Sequence, residues 1–140
     1  MPDDIEDEPP MEPGPPVLTL DLDETAGAVR RARDLTAQVL TDPDPAVAEE
    51  TVRDVVMVVA ELVSNAHRHA PGPYRLTVSV ATDAVKVSMR DGGRTWLSAV
   101  PDERPPGGFG LLVVRRLSRT LDLRTVPDGK VITAVVTRRP

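Results

Sequence analysis

Cysteine is absent from this 140-residue sequence, which excludes disulfides, thiolate metal sites and a cysteine nucleophile. Aromatic residues are nearly absent, since Tyr74, Trp96 and Phe109 are the only three. No apolar run approaches the ~20 residues that a bilayer-spanning helix needs, and the acidic, proline-rich start is the opposite of a signal peptide. We therefore expect a cytoplasmic protein with one domain, whose core consists mainly of Val, Leu and Ala.

Positive charge is missing from residues 1–16, which carry six acids and six prolines. Such a segment cannot bury enough apolar surface to offset its ordering entropy, so we predict a disordered tail. The alternative is an acidic arm that folds back on a basic site or binds a partner. The other 124 residues hold 16 acids and 17 bases and are nearly neutral. This balance gives no global attraction to nucleic acid.

Hydrophobic periodicity predicts an α+β sandwich in which helices cover one face of the sheet. Apolar residues recur at helical spacing in some stretches and alternate in others, and the alternating stretches form hairpins. Strands paired in hairpins, with helices set aside, favour this architecture over a parallel α/β fold. The predicted elements, in chain order, are strand 17–20, a helix capped by Asp21 or Asp23, helix 45–69, strands 75–80 and 84–90, a short helix from about Leu111, and strands 121–126 and 131–136.

A carboxylate and a carboxamide stand four residues apart in the long predicted helix. Glu61 and Asn65 therefore lie one turn apart on one face, at the edge of the apolar stripe. The carboxylate can position or deprotonate a hydroxyl, and the amide oxygen is a hard ligand suited to magnesium. Arg68 lies three residues further on and could contact phosphate at the same site. The alternative interpretation is a solvated helix face with a Glu–Arg near-pair.

Two glycine-rich segments flank the least regular part of the chain. Residues 91–93, Asp-Gly-Gly, end a predicted strand, where the carboxylate could accept a hydrogen bond from an exocyclic amine and glycine would let a flat ring approach. Residues 107–110, Gly-Gly-Phe-Gly, precede the short helix, where backbone N–H groups could hold phosphate. The predicted loop 92–110 is long enough to suggest function. An ordinary Asp-Gly turn and a flexible hinge are the alternatives.

Together and in this order, three segments resemble the sequence boxes of the GHKL-type, histidine kinase-like ATP-binding fold. They are residues 61–70 (Glu-Leu-Val-Ser-Asn-Ala-His-Arg-His-Ala), residues 91–93 and residues 108–112 (Gly-Phe-Gly-Leu-Leu). The Asn-Ala-x-x-His-Ala ending and the small size look most like the anti-sigma-factor serine/threonine-protein kinases. The resemblance implies an ATP-binding domain over residues 17–138. It would be a two-layer α/β sandwich with three helices on one face of a mixed, mostly antiparallel sheet, and residues 94–107 would form the lid.

The same resemblance implies a role for each matching residue. Asn65 would hold magnesium that bridges the ATP phosphates, with Arg68 beside them. Glu61 would be catalytic, because it would orient or deprotonate the acceptor serine. Asp91 would bind the adenine amino group, and Gly93 would leave clearance for the ring. The residues that would wrap the phosphates at the start of the short helix are Gly108, Gly110 and Leu111.

Members of this family bind a sigma factor and phosphorylate a serine of a small antagonist protein, and dimers are common among them. The resemblance therefore implies an ATP- and magnesium-dependent protein serine kinase that acts as an anti-sigma factor. Its partners would be a sigma factor, a STAS-type anti-anti-sigma protein and a second copy of the chain. Neither nucleic acid nor a membrane is expected as a partner.

Two positions depart from the family pattern and favour a second hypothesis. Thr95 stands where a further glycine is common, and Val131 stands where a small hydroxyl is usual. The predicted lid is also short and contains no lysine. The alternative function is a catalytically weak or inactive ATP-binding module that sequesters a partner protein. It would use the open side of the sheet and the helix face that carries Arg30, Arg31 and Arg33.

Overall fold

The computed structural model describes residues 15–42, 46–70, 72–93 and 110–140. Within these ranges the chain forms five strands and three helices. The elements are β1 (Pro16–Leu22), α1 (Ala28–Leu40), α2 (Glu49–His69), β2 (Tyr74–Val80), β3 (Ala84–Asp91), α3 (Gly110–Leu117), β4 (Thr120–Val126) and β5 (Gly129–Thr137). The predicted lid, 94–107, lies outside the described residues. Most of the predicted tail, 1–16, also lies outside them, but Pro16 already begins β1.

The described strands form one sheet in the order β1-β2-β3-β5-β4. Both predicted hairpins are confirmed, because β2 pairs with β3 and β4 pairs with β5. Every pairing between described strands is antiparallel, including those of β1 with β2 and of β3 with β5. The pairing of β3 with β5 is non-local, and it sets Asp91 directly opposite Lys130 at one end of the sheet.

The core lies between one face of this sheet and the helices, as expected for a two-layer sandwich. Alternation along the strands sends one set of side chains toward the helices, where Leu76, Val87 and Met89 are fully buried. The opposite face is mostly polar, and on it the hydroxyls of Ser88 and Thr133 lie 3.2 Å apart. The long central helix supplies most of the facing layer, and its buried apolar residues are Val52, Val55, Val58, Val59, Leu62, Val63 and Ala66.

The prediction that Asp21 or Asp23 caps α1 is wrong. The helix begins at Ala28, and its N-cap is Gly27, in the left-handed region at φ 99°, with no side-chain cap. Asp23 instead accepts hydrogen bonds on Oδ1 from the backbone N–H and the hydroxyl of Thr25, at 3.0 and 2.6 Å. Aspartate competes in this way for nearby backbone donors, and the local turn postpones the helix.

The central helix α2 starts later than predicted and stops where predicted. It runs over 21 residues from Glu49 to His69, which corresponds to about 31 Å. Glu49 and Glu50 lie in its first turn and basic side chains lie in its last, an arrangement that suits the helix dipole at both ends. Among the described residues, no helix combines the length and the apolar character that crossing a membrane requires.

Candidate functional site

The C-terminal half of α2 places Glu61 and Asn65 at the boundary between core and solvent. Asn65 is only 6% exposed, and Glu61 is half-buried. Their neighbours Leu62, Val63 and Ala66 are buried and hold this part of the helix against the sheet. A solvated helix face is therefore the wrong interpretation for Asn65. The helix presents an amide and an acid one turn apart at the edge of the core.

The carboxamide of Asn65 has no hydrogen-bond partner among the described residues. The amide is not one of the fully buried side-chain groups without a partner, so solvent reaches it and a ligand can replace that solvent. Its oxygen is of the type that magnesium prefers. No group of three or more His, Cys, Asp or Glu side chains in the described part of the chain is placed to hold a metal. Magnesium commonly binds proteins through one or two side-chain oxygens together with water and phosphate oxygens, and Asn65 offers such an oxygen.

Arg68 lies in the last turn of α2 and is exposed. The near-pair with Glu61, the other half of the alternative interpretation, is not formed among the described residues. An exposed guanidinium three residues beyond Asn65 remains available on the helix end where phosphate is expected. The predicted contact of Arg68 with phosphate stays a prediction.

Asp91, the last residue of β3, is buried in an ion pair that the sequence analysis does not foresee. Its Oδ1 lies 2.7 Å from Nζ of Lys130, and the two side chains are 1% and 0% exposed. The same oxygen accepts a hydrogen bond from the backbone N–H of Gly93 at 2.8 Å. Asp91 and Lys130 follow the alternation of Met89 and Ile132, so both point to the helix-covered face.

Gly93 lies where the end of β3 packs against the end of α2. A Cβ atom at Gly93 would lie 2.7 Å from Cβ of Ala70 and 3.0 Å from Nζ of Lys130. The clearance that glycine provides is therefore occupied, at least in part, by the protein itself. Ala70 follows Asn65 by five residues, or about 7.5 Å along a helix axis. Asn65 and Asp91 consequently lie on the same side of the sheet, near the same end of α2.

The second carboxylate oxygen of Asp91, Oδ2, receives no hydrogen bond from the described residues. This oxygen is buried. A buried carboxylate oxygen without a donor is costly, and an exocyclic amino group of a ligand would satisfy it. Asp91 and Asn65 therefore fit the two ends of an adenine nucleotide, the base and the phosphates. Asp91 offers an acceptor for the base, and Asn65 offers an oxygen to a phosphate-bound metal.

Three titratable rings lie at the C-terminal end of α2: those of His67 and His69 on the helix and that of Tyr74 at the start of β2. The Tyr74 hydroxyl donates to the carbonyl of Ala70 at 2.9 Å, and its ring lies 5.3 Å from that of His67. Burial lowers the pKa of His69, and the positive charges of Arg68 and Lys130 lower it further. Burial raises the pKa of Tyr74, with smaller contributions from nearby carboxylates. At neutral pH both groups are therefore neutral, and the cation nearest Asp91 is Lys130.

The predicted phosphate-wrapping residues fall at the edge of the described chain. Gly108 lies outside the described residues, while Gly110 is the first residue of α3 and Leu111 is half-buried behind it. The helix α3 packs against α2, and its residue Val114 is fully buried. The helix that begins at Gly110 therefore lies beside the helix that carries Asn65. The role of the glycine-rich segment in phosphate binding stays a prediction.

A cavity of about 440 Å³ opens at the same end of the sheet, where β2 begins and β3 ends. Asp91 and Gly92 line it together with Tyr74, Arg75 and Arg90, whereas neither Glu61 nor Asn65 does. Arg75 and Arg90 belong to the open face of the sheet, since they pair with one another across β2 and β3 and are exposed. This cavity therefore meets the proposed nucleotide site at Asp91 and does not include the phosphate end at Asn65.

Gly129 allows the strand carrying Lys130 to approach Asp91. A Cβ atom at Gly129 would overlap the carbonyl oxygen of Asp91, and the residue has φ +156°. We expect Gly129→Ala to lower the free energy of unfolding by about 3 kcal/mol, because overlap adds to backbone strain. Urea unfolding followed by circular dichroism measures this loss.

The matched control is Gly27→Ala, which isolates backbone strain from overlap. Gly27 also has a positive φ, of 99°, but nothing lies within 4 Å of its Cβ position. The expected loss there is about 1–2 kcal/mol, the ordinary cost of the left-handed conformation. Equal losses at the two glycines would contradict the close approach of Gly129 to Asp91.

Comparison with known proteins assigns the chain to a class. Residues 22–136 match the family model of the histidine kinase-like ATPase domain. The match covers most of the chain, so the protein belongs to this family, a class of ATP-binding domains. The predicted resemblance to GHKL-type ATPases and the predicted sandwich fold are confirmed.

A particular solved structure resembles the chain over most of its length. It is the crystal structure of the RsbU and RsbW domains of Rv1364c from Mycobacterium tuberculosis, with a TM-score of 0.67 and 23% sequence identity. The alignment covers 91% of this chain and 34% of that one, so the chain spans about a third of that structure's length. At this identity the likeness shows the fold. No curated protein matches the chain.

Proposed function

We propose that this chain is an ATP- and magnesium-dependent protein serine kinase that acts as an anti-sigma factor in the cytoplasm. One observation carries the proposal: two polar groups at the core's edge, the amide of Asn65 and Oδ2 of Asp91, have no partner among the described residues. They lie near one end of α2 on the same side of the sheet. Their chemistry matches the metal-bound phosphates and the amino group of a single ATP molecule.

Each side chain has a separate task in the proposed reaction. Asp91 orients the nucleotide by accepting a hydrogen bond from the base, and Asn65 holds the magnesium, which offsets phosphate charge when bound. Glu61, one turn from Asn65, takes the proton from the acceptor serine. The serine oxygen then bonds to the γ-phosphorus as the bond from that phosphorus to the β–γ bridging oxygen breaks, leaving ADP. Glu61 is half-buried, so its carboxylate is accessible to an acceptor serine.

The partners follow from the same proposal. The similar solved structure contains a domain named RsbW, the name of an anti-sigma factor kinase family. We propose that this chain likewise binds a sigma factor and phosphorylates a serine of a STAS-type antagonist. A second copy of the chain is a further proposed partner.

The test is transfer of labelled phosphate. The full chain is incubated with magnesium and ATP labelled at the γ-phosphate, together with each STAS-type protein of its own genome. We expect label on a serine of one antagonist. The unmodified antagonist should release the bound sigma factor, and the phosphorylated antagonist should not. ATP binding without transfer to any antagonist would instead support the alternative, a regulatory module without kinase activity.

A further inference from the structure

The buried pair of Asp91 and Lys130 has no role in the proposed phosphotransfer. Lys130 comes from β5, opposite Asp91 in the strand register, and its side chain is 0% exposed. A lysine is almost never fully buried unless its charge is paired. Its ammonium lies 2.7 Å from Asp91 at the point where the base of a nucleotide is proposed to bind.

Geometry divides the two oxygens of Asp91 between different tasks. Oδ1 receives two donors, Nζ of Lys130 at 2.7 Å and the N–H of Gly93 at 2.8 Å. Oδ2 receives none from the described residues. Two donors on one oxygen fix the rotation of the carboxylate, so the other oxygen is presented in one direction. The close approach of Gly93 to the ammonium also restricts movement of Lys130.

Charge compensation is the second consequence of the pair. A carboxyl group this deeply buried loses its charge readily unless a cation lies beside it. Lys130 supplies that cation, and the pair as a whole is neutral.

We propose that Lys130 is a positioning residue for base recognition: its ammonium holds Oδ1 of Asp91 and thereby aims Oδ2 at the 6-amino group of adenine, so that the site prefers an amino-bearing purine. This inference rests on the proposed function, because it assigns the base end of the same site. It concerns a residue that only orients Asp91 and does not contact the reacting atoms.

Other charged and titratable groups near the pair have to stay the same in the experiment. On α2, the charge of Lys130 acts on His69, and on β2, the charge of Asp91 acts on Tyr74. The charged residues that share the neighbouring cavity with Asp91 are Asp21, Arg75, Arg90 and Asp128. All of these groups are unchanged in a Lys130 variant, so the difference between parent and variant reports on Lys130.

The experiment compares ATP with purine riboside triphosphate, which differs only in lacking the 6-amino group. Dissociation constants of both magnesium complexes are measured by calorimetry in one neutral buffer, and their ratio isolates the contribution of the amino group. We expect the parent to prefer ATP by about 10- to 100-fold, the worth of a hydrogen bond to a charged group. In Lys130→Met the preference should fall toward none, because the ammonium no longer fixes the carboxylate of Asp91.

The control is Lys86→Met at the chain's other lysine, which is half-buried on the opposite face of the sheet. It should keep the parent's preference for ATP. If Lys130→Met prefers ATP as strongly as the parent does, or binds both nucleotides more weakly by the same factor, the inference is overturned and the proposed function stands. If the parent binds neither nucleotide, the proposed function fails and the inference fails with it.

A measurement on the parent covers the case in which Lys130→Met does not fold. The carboxyl carbon of Asp91 and the ammonium nitrogen of Lys130 are followed by NMR while magnesium-ATP or the magnesium complex of purine riboside triphosphate is added. We expect only ATP to shift the carboxyl carbon, and the ammonium signal to stay in place, because Oδ2 takes the amino group while Oδ1 keeps Lys130. A displaced ammonium signal, or equal carboxyl shifts with both nucleotides, would contradict the role assigned to Lys130.

Discussion

Replacing Asn65 with alanine is expected to weaken binding of magnesium-ATP by about 100-fold or more. Loss of a residue that merely supports a metal ligand typically costs ~10–100-fold, so loss of the proposed ligand itself should reach at least the upper end. The physical reason is that Asn65 is the amide at the rim of the core with no partner among the described residues. Calorimetric titration with ATP, in magnesium and again in excess EDTA, measures the effect.

Two comparisons make this result specific to the metal. Ser64→Ala changes the half-buried neighbour on the same turn and should bind like the parent. In EDTA, the parent and Asn65→Ala should bind ATP almost equally, because the difference between them depends on the ion. If Asn65→Ala binds magnesium-ATP as tightly as the parent, Asn65 is not the ligand and the assignment of the phosphate end is wrong.

Glu61→Gln is expected to separate binding from chemistry. Glutamine keeps the size and polarity of the side chain but cannot accept the serine proton, and loss of a general base typically slows transfer by ~10²–10⁴-fold. Binding of magnesium-ATP should change little, because Glu61 is not proposed to touch the nucleotide. The measurement is single-turnover transfer of labelled phosphate to the antagonist serine, alongside calorimetry.

Asp54→Asn provides the matched control for Glu61→Gln. Asp54 is a half-buried acid on the same helix, two turns before Glu61. This variant removes one negative charge from α2 without touching the proposed site, so transfer should proceed at the parent's rate. Normal transfer by Glu61→Gln would contradict the proposed base, and lost ATP binding would show that Glu61 acts on the nucleotide instead.

The fold could be predicted from the sequence because its signals are local. Alternation in residues 75–80 and 84–90 and the apolar stripe of residues 52–66 lead directly to β2, β3 and α2. Short links between the strands required hairpins. The start of α1 was missed because Asp23 bonds to Thr25 in a turn of its own, and the preference of aspartate for helix caps does not distinguish the two outcomes.

The candidate site was only partly predictable, because its key contact is non-local. Glu61 and Asn65 share a helix face, so spacing alone placed them together. The burial of Lys130 was also within reach, since it alternates with Ile132 and Ala134 toward the helices. Its pairing with Asp91 was not, because the register between β3 and β5 depends on the assembled sheet. The tight contact of Gly93 with Ala70 arises in the same way.

Thermal unfolding of the parent with ATP, with and without magnesium, tests most directly whether the amide of Asn65 and the carboxylate of Asp91 bind one ligand. A ligand at ~100 times its dissociation constant adds about 2.7 kcal/mol to the free energy of unfolding. We predict a stabilisation of this size when ATP and magnesium are both present, and a much smaller one when either is omitted. An unfolding temperature that is the same in buffer and in saturating magnesium-ATP would contradict the central claim.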